Sequence, residues 1–257
     1  MGMAPLLSVQ GVSLRFGGVV ALDDVSFDVT QGQIVGLIGP NGAGKTTLFN
    51  CLSRLYRPDT GEIRFAGQSV LSLKRHQIAS AGIGRTFQNV ALFDRLTVLE
   101  NVMVGRHNRT KAGFVANALR LPAVGREETA VRAKALELIA FMNLGGFTHR
   151  HAGGLPFPIR KRVELARALA AEPRLLLLDE PAAGLNHEEV QTLEGQIRLV
   201  RDTHNVTVLL VEHHMSLVMS VSDKVVVVNF GRTIADGPPE AVRRDPDVIR
   251  AYLGTPA

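Results

Sequence analysis

With a single cysteine, Cys51, the 257-residue chain cannot close an intrachain disulfide, so its fold needs no oxidising compartment and it reads as cytosolic. Twelve prolines and 25 glycines, scattered along the chain, are too few for a fibrous or low-complexity protein. No stretch approaches the roughly 18 apolar residues of a membrane-crossing helix. The opening MGMAPLLSVQ lacks a basic segment followed by an apolar one, so neither a membrane span nor secretion is expected. What is present is an ordinary globular balance, 46% hydrophobic and 21% charged, sufficient for a sizeable core and too apolar for disorder.

Basic residues outnumber acidic ones by 29 to 24, and the excess is local. Arg106, Arg109, Lys111, Arg120, Arg126, Arg132 and Lys134 face only Glu127 and Glu128 in the same segment. Such a block suits an anionic partner, but Phe114 is the one aromatic there that could stack on a base. A solvated helix surface is the leading reading, and no nucleic-acid partner is expected.

The hydropathy pattern changes along the chain. LLSVQGVSLRF and VSFDV alternate, as antiparallel strands with one covered face do. QIVGLIG, RLLLLDE, VTVLLVE and KVVVVNF are continuous apolar runs, which suit parallel strands buried on both faces. Val190, Leu193, Ile197 and Val200 share one face of a helix that supplies a crossover. From Thr97 to about Ala171 the periodicity is helical, with Val131, Ala135, Leu138, Ile139 and Met142 on one stripe and Gly145-Gly146 as the stop. The expected fold class is α/β: a parallel-sheet core over 1–96 and 172–236 with an N-terminal antiparallel part, an inserted helical subdomain over 97–171, and a tail of two short helices over 237–257. Together they form one domain.

The strongest chemical signal is GPNGAGKTT, comprising Gly39, Pro40, Asn41, Gly42, Ala43, Gly44, Lys45, Thr46 and Thr47. It stands between a buried strand and a helix, where glycines let backbone N–H groups turn toward phosphate oxygens and the helix adds its positive end. Lys45 is suited to the β and γ phosphates, and the Thr46 hydroxyl to magnesium. Downstream, LLLLDE ends a buried run on two carboxylates. Asp179 is placed for the magnesium shell and Glu180 for deprotonating an attacking water.

With these motifs in this order, the chain resembles the ATP-binding cassette (ABC) ATPases over essentially its whole length, which implies a P-loop NTPase core using ATP and Mg2+. On that resemblance, Phe16 in LRFGGVVAL matches an aromatic that stacks on adenine, and His213 in VEHHM matches a switch histidine that contacts the γ phosphate. Gln88 in GRTFQN matches the glutamine that joins the nucleotide site, including its metal, to the transmembrane partner. GRTFQNVALFDRLTVLENVMVG and the tail DPDVIRAYLG are most similar to ATPase subunits of branched-chain or hydrophobic amino-acid importers. The implied partners are a second ATPase subunit, identical or different, transmembrane permeases and a periplasmic solute-binding protein. The implied location is the cytoplasmic side of the inner membrane, peripherally bound. An ATPase of lipopolysaccharide export is the near alternative.

The resemblance breaks at one place. Family members present a serine- and glycine-rich signature at a helix start to the partner's nucleotide, whereas this chain has GGLPFPIRKRVELARALA, with Pro156, Phe157 and Pro158. Proline carries no N–H and phenylalanine lacks glycine's conformational freedom, so two backbone donors are expected to be missing. Pro158 also suits a helix start. Asn186 stands where the family usually has aspartate, a milder departure. A nucleotide-binding regulatory module with weak hydrolysis therefore remains the alternative from another class.

Overall fold

The computed structural model describes residues 4–86, 90–109 and 122–253; Gln88, and Lys111, Phe114 and Arg120 of the basic block, lie outside the described residues. The chain folds into two compact units, one made of residues up to Ile78 together with Arg174 onward, the other of Ala79–Pro173.

The first unit holds two sheets. Strands β1 (Leu7–Phe16) and β2 (Val19–Val29) form an antiparallel hairpin, extended by β4 (Thr60–Phe65) and β5 (Gln68–Ser69) in the order β2-β1-β4-β5. Alternation in β1 buries Leu7, Val9, Val12 and Leu14 while Gln10 and Arg15 face out. The second sheet contains β3 (Ile34–Ile38), β7 (Leu175–Asp179), β8 (Thr207–Val211), β9 (Lys224–Asn229) and β10 (Arg232–Gly237). Its strands within this unit stand in the order β10-β9-β3-β8-β7. β3 lies parallel between β8 and β9, and β7 is parallel to β8. Every residue of β3, β7 and β8 is buried, and each Val, Leu or Ile so covered contributes roughly 1.5–3 kcal/mol. β10 is antiparallel to β9, so the parallel sheet expected from the apolar runs carries a hairpin at this edge; β10 is only partly buried, which hides it from a search for continuous apolar runs.

Helix α1 (Lys45–Leu52) follows β3, α6 (His187–His204) carries the chain from β7 to β8, α7 (Met215–Val221) follows β8, and α8 (Pro239–Arg243) and α9 (Pro246–Leu253) close the chain. The buried stripe of α6 is Val190, Leu193, Ile197 and Val200. α7 sits against β3 so closely that a Cβ on Gly36 would lie 2.5 Å from Val218 Cγ1. A methyl there has no room, which is why the middle of an otherwise branched-aliphatic strand is glycine.

The second unit opens within α2 (Gln77–Ala81) and includes β6 (Ile83–Arg85), α3 (Val98–Val104), α4 (Pro122–Phe141) and α5 (Phe157–Ala170). Thr97 and Glu100 cap α3 reciprocally in a capping box. Asn101 is fully buried and hydrogen-bonded to Phe93, Leu96 and Thr97. α4 and the segment after it bury Val131, Ala135, Leu138, Ile139 and Met142, the stripe read from the 3.6-residue period.

Candidate functional site

Because β3, β7 and β8 are parallel neighbours, their C-terminal ends lie on one edge of the sheet, the place where such sheets usually bind ligands. The chemistry-bearing residues follow those ends.

After Ile38 the chain turns through Gly39 at φ 154°, where a Cβ would stand 1.9 Å from the carbonyl oxygen of Val228. Gly44 has φ 103° and a Cβ there would meet the carbonyl oxygen of Ala21 at 2.4 Å. Only glycine meets both the conformation and the space. Asn41, Gly42 and Thr46 are exposed, Pro40, Gly44 and Thr47 are partly so, and Ala43 is buried. Gly44 is the N-cap of α1, and no side chain caps it. The amides of Lys45, Thr46 and Thr47 in that first turn thus have no acceptor within their helix and add to its positive end.

Lys45 is buried, and its ammonium donates to the carbonyl oxygens of Gly39 at 2.7 Å and Pro40 at 2.9 Å. Burial holds its pKa below the ordinary lysine range, partly offset by the negative charge of Glu180. The loop is braced from outside. Gly231 N–H donates to the carbonyl oxygen of Ala43 at 2.9 Å, and the Gly231 carbonyl oxygen accepts from Asp23 N–H at 2.8 Å. Burial pushes the pKa of the Tyr252 hydroxyl of α9 up, and the nearby backbone of Gly39 partly offsets this.

On the neighbouring strands, Asp179 is the buried last residue of β7. Glu180 follows with φ 49°, a left-handed conformation that costs a non-glycine residue about 1–2 kcal/mol. Its N–H donates to Val211 at 2.9 Å, tying the turn to the end of β8. There His213 Nε2 meets Glu180 Oε1 at 2.7 Å. The histidine side chain is 43% exposed and the glutamate 15%, so the pair is open on the imidazole side. The structure thus brings together the phosphate loop, Asp179, Glu180 and His213.

Two residues that sequence reasoning missed complete the surroundings. Glu212, buried at the end of β8, accepts from Ala182 N–H at 2.6 Å and from His213 N–H at 2.9 Å. The signal was available: VTVLLVE closes a buried run on a carboxylate just as LLLLDE does. Tyr252 gave none, since its role depends on where the tail folds.

Phe16 ends β1, is 46% exposed, and meets Tyr56 edge-on with ring centroids 5.2 Å apart, leaving it open to solvent. Asn186 caps α6 in a capping box with Glu189; asparagine and aspartate serve equally there, so this local structure tolerates the departure from aspartate.

The Pro-Phe-Pro segment begins a helix. Pro156 is the N-cap of α5 with φ −54° and ψ 147°, outside the helix, and Pro158 stands inside the first turn. Arg160 N–H is spent on Pro156 at 3.1 Å. The N-cap amide is one of the four at a helix start that find no partner within the helix, so this start lacks two, those of Pro156 and Pro158, and keeps those of Phe157 and Ile159. Lys161 lies 5.5 Å over the Phe157 ring.

The phosphate loop suits a phosphate chain, with first-turn amides that have no acceptor within their helix and a buried ammonium that rests on the loop's own carbonyls. Thr46 and Asp179 offer the hard oxygens that magnesium prefers. Among the described residues no group of three or more His, Cys, Asp or Glu could hold a metal, so a cation here would fill its shell with water and phosphate oxygens.

Comparison with known proteins agrees with this geometry. The family described as ABC transporter matches residues 22–183, and the family described as branched-chain amino acid ATP-binding cassette transporter matches residues 232–257. The high-affinity branched-chain amino acid transport ATP-binding protein BraF of Pseudomonas aeruginosa is 48% identical over 97% of this chain and 98% of its own length. LivG of Escherichia coli strain K12, which bears the same description, is 45% identical over the same shares. Among solved structures, the ADP conformation of an ATP-binding cassette of an ABC transporter superposes with a TM-score of 0.85 at 29% identity, covering 98% of this chain and all of that one. A nucleotide-free cassette gives 0.84 at 29% identity. The chain belongs to the ABC transporter family, as an ATP-binding and ATP-hydrolysing subunit whose C-terminal segment is of the branched-chain amino acid type.

Proposed function

We propose that this subunit powers the import of branched-chain or other hydrophobic amino acids, working at the cytoplasmic face of the inner membrane with a second ATPase subunit, transmembrane permeases and a periplasmic solute-binding protein. The substrate class rests on BraF and LivG and on the C-terminal match. The assignment of chemistry rests on one observation, the 2.7 Å contact between Glu180 and His213 beside the phosphate loop.

In this reading Lys45 and the amides of the loop from Gly39 to Thr47 hold the phosphates, and Phe16 stacks on adenine. Magnesium, held by Thr46, Asp179 and Gln88, would neutralise charge on the β and γ phosphates. Glu180 takes a proton from the attacking water while His213 orients it and faces the γ phosphate. Gln88 passes the state of the site to the permease. The core over 1–96 and 172–236 carries this chemistry, 97–171 the helical response, and 237–257 the tail. A second reading, a module that binds ATP but contributes little to turnover, is favoured by one observation: the proline inside the first turn of α5.

The test is reconstitution of the full complex in proteoliposomes with ATP and labelled leucine. ATP-dependent uptake that fails with Glu180→Gln, while ATP still binds, is expected. Hydrolysis without uptake of any hydrophobic amino acid would overturn the substrate class, and Gln88→Ala should weaken permease-stimulated hydrolysis more than ATP binding.

A further inference from the structure

Glu212 is a charged side chain, 1% exposed, that no step of the proposed hydrolysis uses. Its carboxylate faces donors at both ends. Oε1 accepts from Ala182 N–H at 2.6 Å, and Oε2 accepts from His213 N–H at 2.9 Å and His214 N–H at 3.3 Å. The His214 ring nitrogen Nδ1 also stands 3.3 Å from Oε2. Ala182 belongs to the turn that Glu180 begins, closed by Ala183 N–H on Glu180 at 3.1 Å and Leu185 N–H on Ala182 at 3.1 Å. One buried carboxylate therefore joins the turn after β7 to the turn after β8, the two segments whose side chains meet at Glu180 and His213.

We infer that Glu212 is a positioning residue for ATP hydrolysis, holding the backbones on either side of the Glu180–His213 contact so that the pair keeps its register; this rests on the roles proposed for those two residues. The physical argument is the shape of the acceptor. Donors occupy both sides, so a carboxylate satisfies the site in any orientation, whereas an amide must turn its NH2 group toward a donor on one side. Burying that mismatch loosens one of the two turns. Reacting groups displaced by about 1 Å lose rate on the order of a hundredfold, and partial loosening costs correspondingly less. Nucleotide affinity rests on the loop Gly39–Thr47 and is untouched.

The experiment compares Glu212→Gln and Glu212→Asp in the assembled complex; the aspartate keeps the charge but is one methylene too short to reach both turns. For each, kcat, KM, affinity for a fluorescent ATP analogue and thermal midpoint are measured, with single-turnover rates in a His213→Ala background. A kcat lowered about tenfold or more, affinity within about twofold of wild type, and a much smaller fall once His213 is absent are expected. An unchanged kcat, or an equal fall with and without His213, overturns the inference, since a residue serving stability alone would act regardless of His213. If Glu180→Gln and His213→Ala themselves keep wild-type turnover, the roles beneath the inference fail; if they are inactive and both Glu212 variants are fully active, only the positioning role does.

Discussion

Two helix starts in this chain, one after the phosphate loop and one that the proposed function turns toward a partner's nucleotide, are built differently. At α1 the chain arrives through Gly39, Gly42 and Gly44, all at positive φ, and presents the amides of Lys45, Thr46 and Thr47 with no proline among them. At α5 it arrives through Pro156 and has Pro158 in the first turn, which keeps the dipole but removes two donors. A proline near a helix start stabilises the helix because its φ is already helical. The same residue is a poor partner for an anion. Helix formation and anion binding therefore ask for different residues at one position, and this chain favours anion binding at the first start and helix formation at the second.

The sharpest way to break the contrast is at the complete site. Glu180→Gln should lower turnover about a hundredfold or more, the usual scale for a lost general base, with ATP affinity retained. Lys45→Ala should lose ATP affinity as well. Equilibrium binding and steady-state ATPase on both variants decide this, and equal loss of binding would refute the division of roles.

Next in size is the loop backbone. Gly44→Ala puts a methyl carbon 2.4 Å from the carbonyl oxygen of Ala21 at φ 103°, so the loop must shift, at a cost of about 1–3 kcal/mol. Calorimetry should show a lower thermal midpoint and weakened ATP binding. Phe157→Gly at the other helix start, where the ring is 41% exposed, should leave ATP affinity of the chain's own loop unchanged.

The contrast can also be reduced. Pro158→Ala restores one of the two missing amides without opening the backbone, and turnover at the site facing α5 should rise several-fold, below the roughly 10²–10³ that one donor is worth in a dedicated oxyanion hole. Pro156→Ser returns the N-cap amide and should give a gain of the same kind. Single-turnover hydrolysis by the assembled dimer measures both, and no gain from either would sink the missing-donor account.

Smaller effects come from protons and from the tail. Burial lowers the Lys45 pKa, so the charged form is disfavoured in the fold: its cost is present below the folded-state pKa and is relieved as pH rises toward the unfolded value. ATP needs that charge, so affinity should begin to fall at a lower alkaline pH than an ordinary lysine would give. Lys45→Arg should abolish this pH dependence in a binding titration, even where it weakens binding. Tyr252→Phe removes the hydroxyl beside the Gly39 backbone and should lower the thermal midpoint only slightly, read by calorimetry.

What sequence alone determined here is local or periodic. The phosphate loop is contiguous, so its chemistry depends on residue order; the stripes of α4 and α6 follow from the 3.6-residue period, and β3, β7 and β8 from unbroken apolar runs. The tertiary structure decided what depends on neighbours distant in the chain. It set the strand order that puts Glu180 beside His213, the bridge from Glu212 to Ala182, and the reach of Tyr252 to Gly39. It also decided that Pro156 is the N-cap of its helix, because a cap is defined by where the first hydrogen-bonded turn begins rather than by composition. The antiparallel β10 escaped for a related reason: a half-exposed edge strand has no continuous apolar run, and only pairing with β9 marks it.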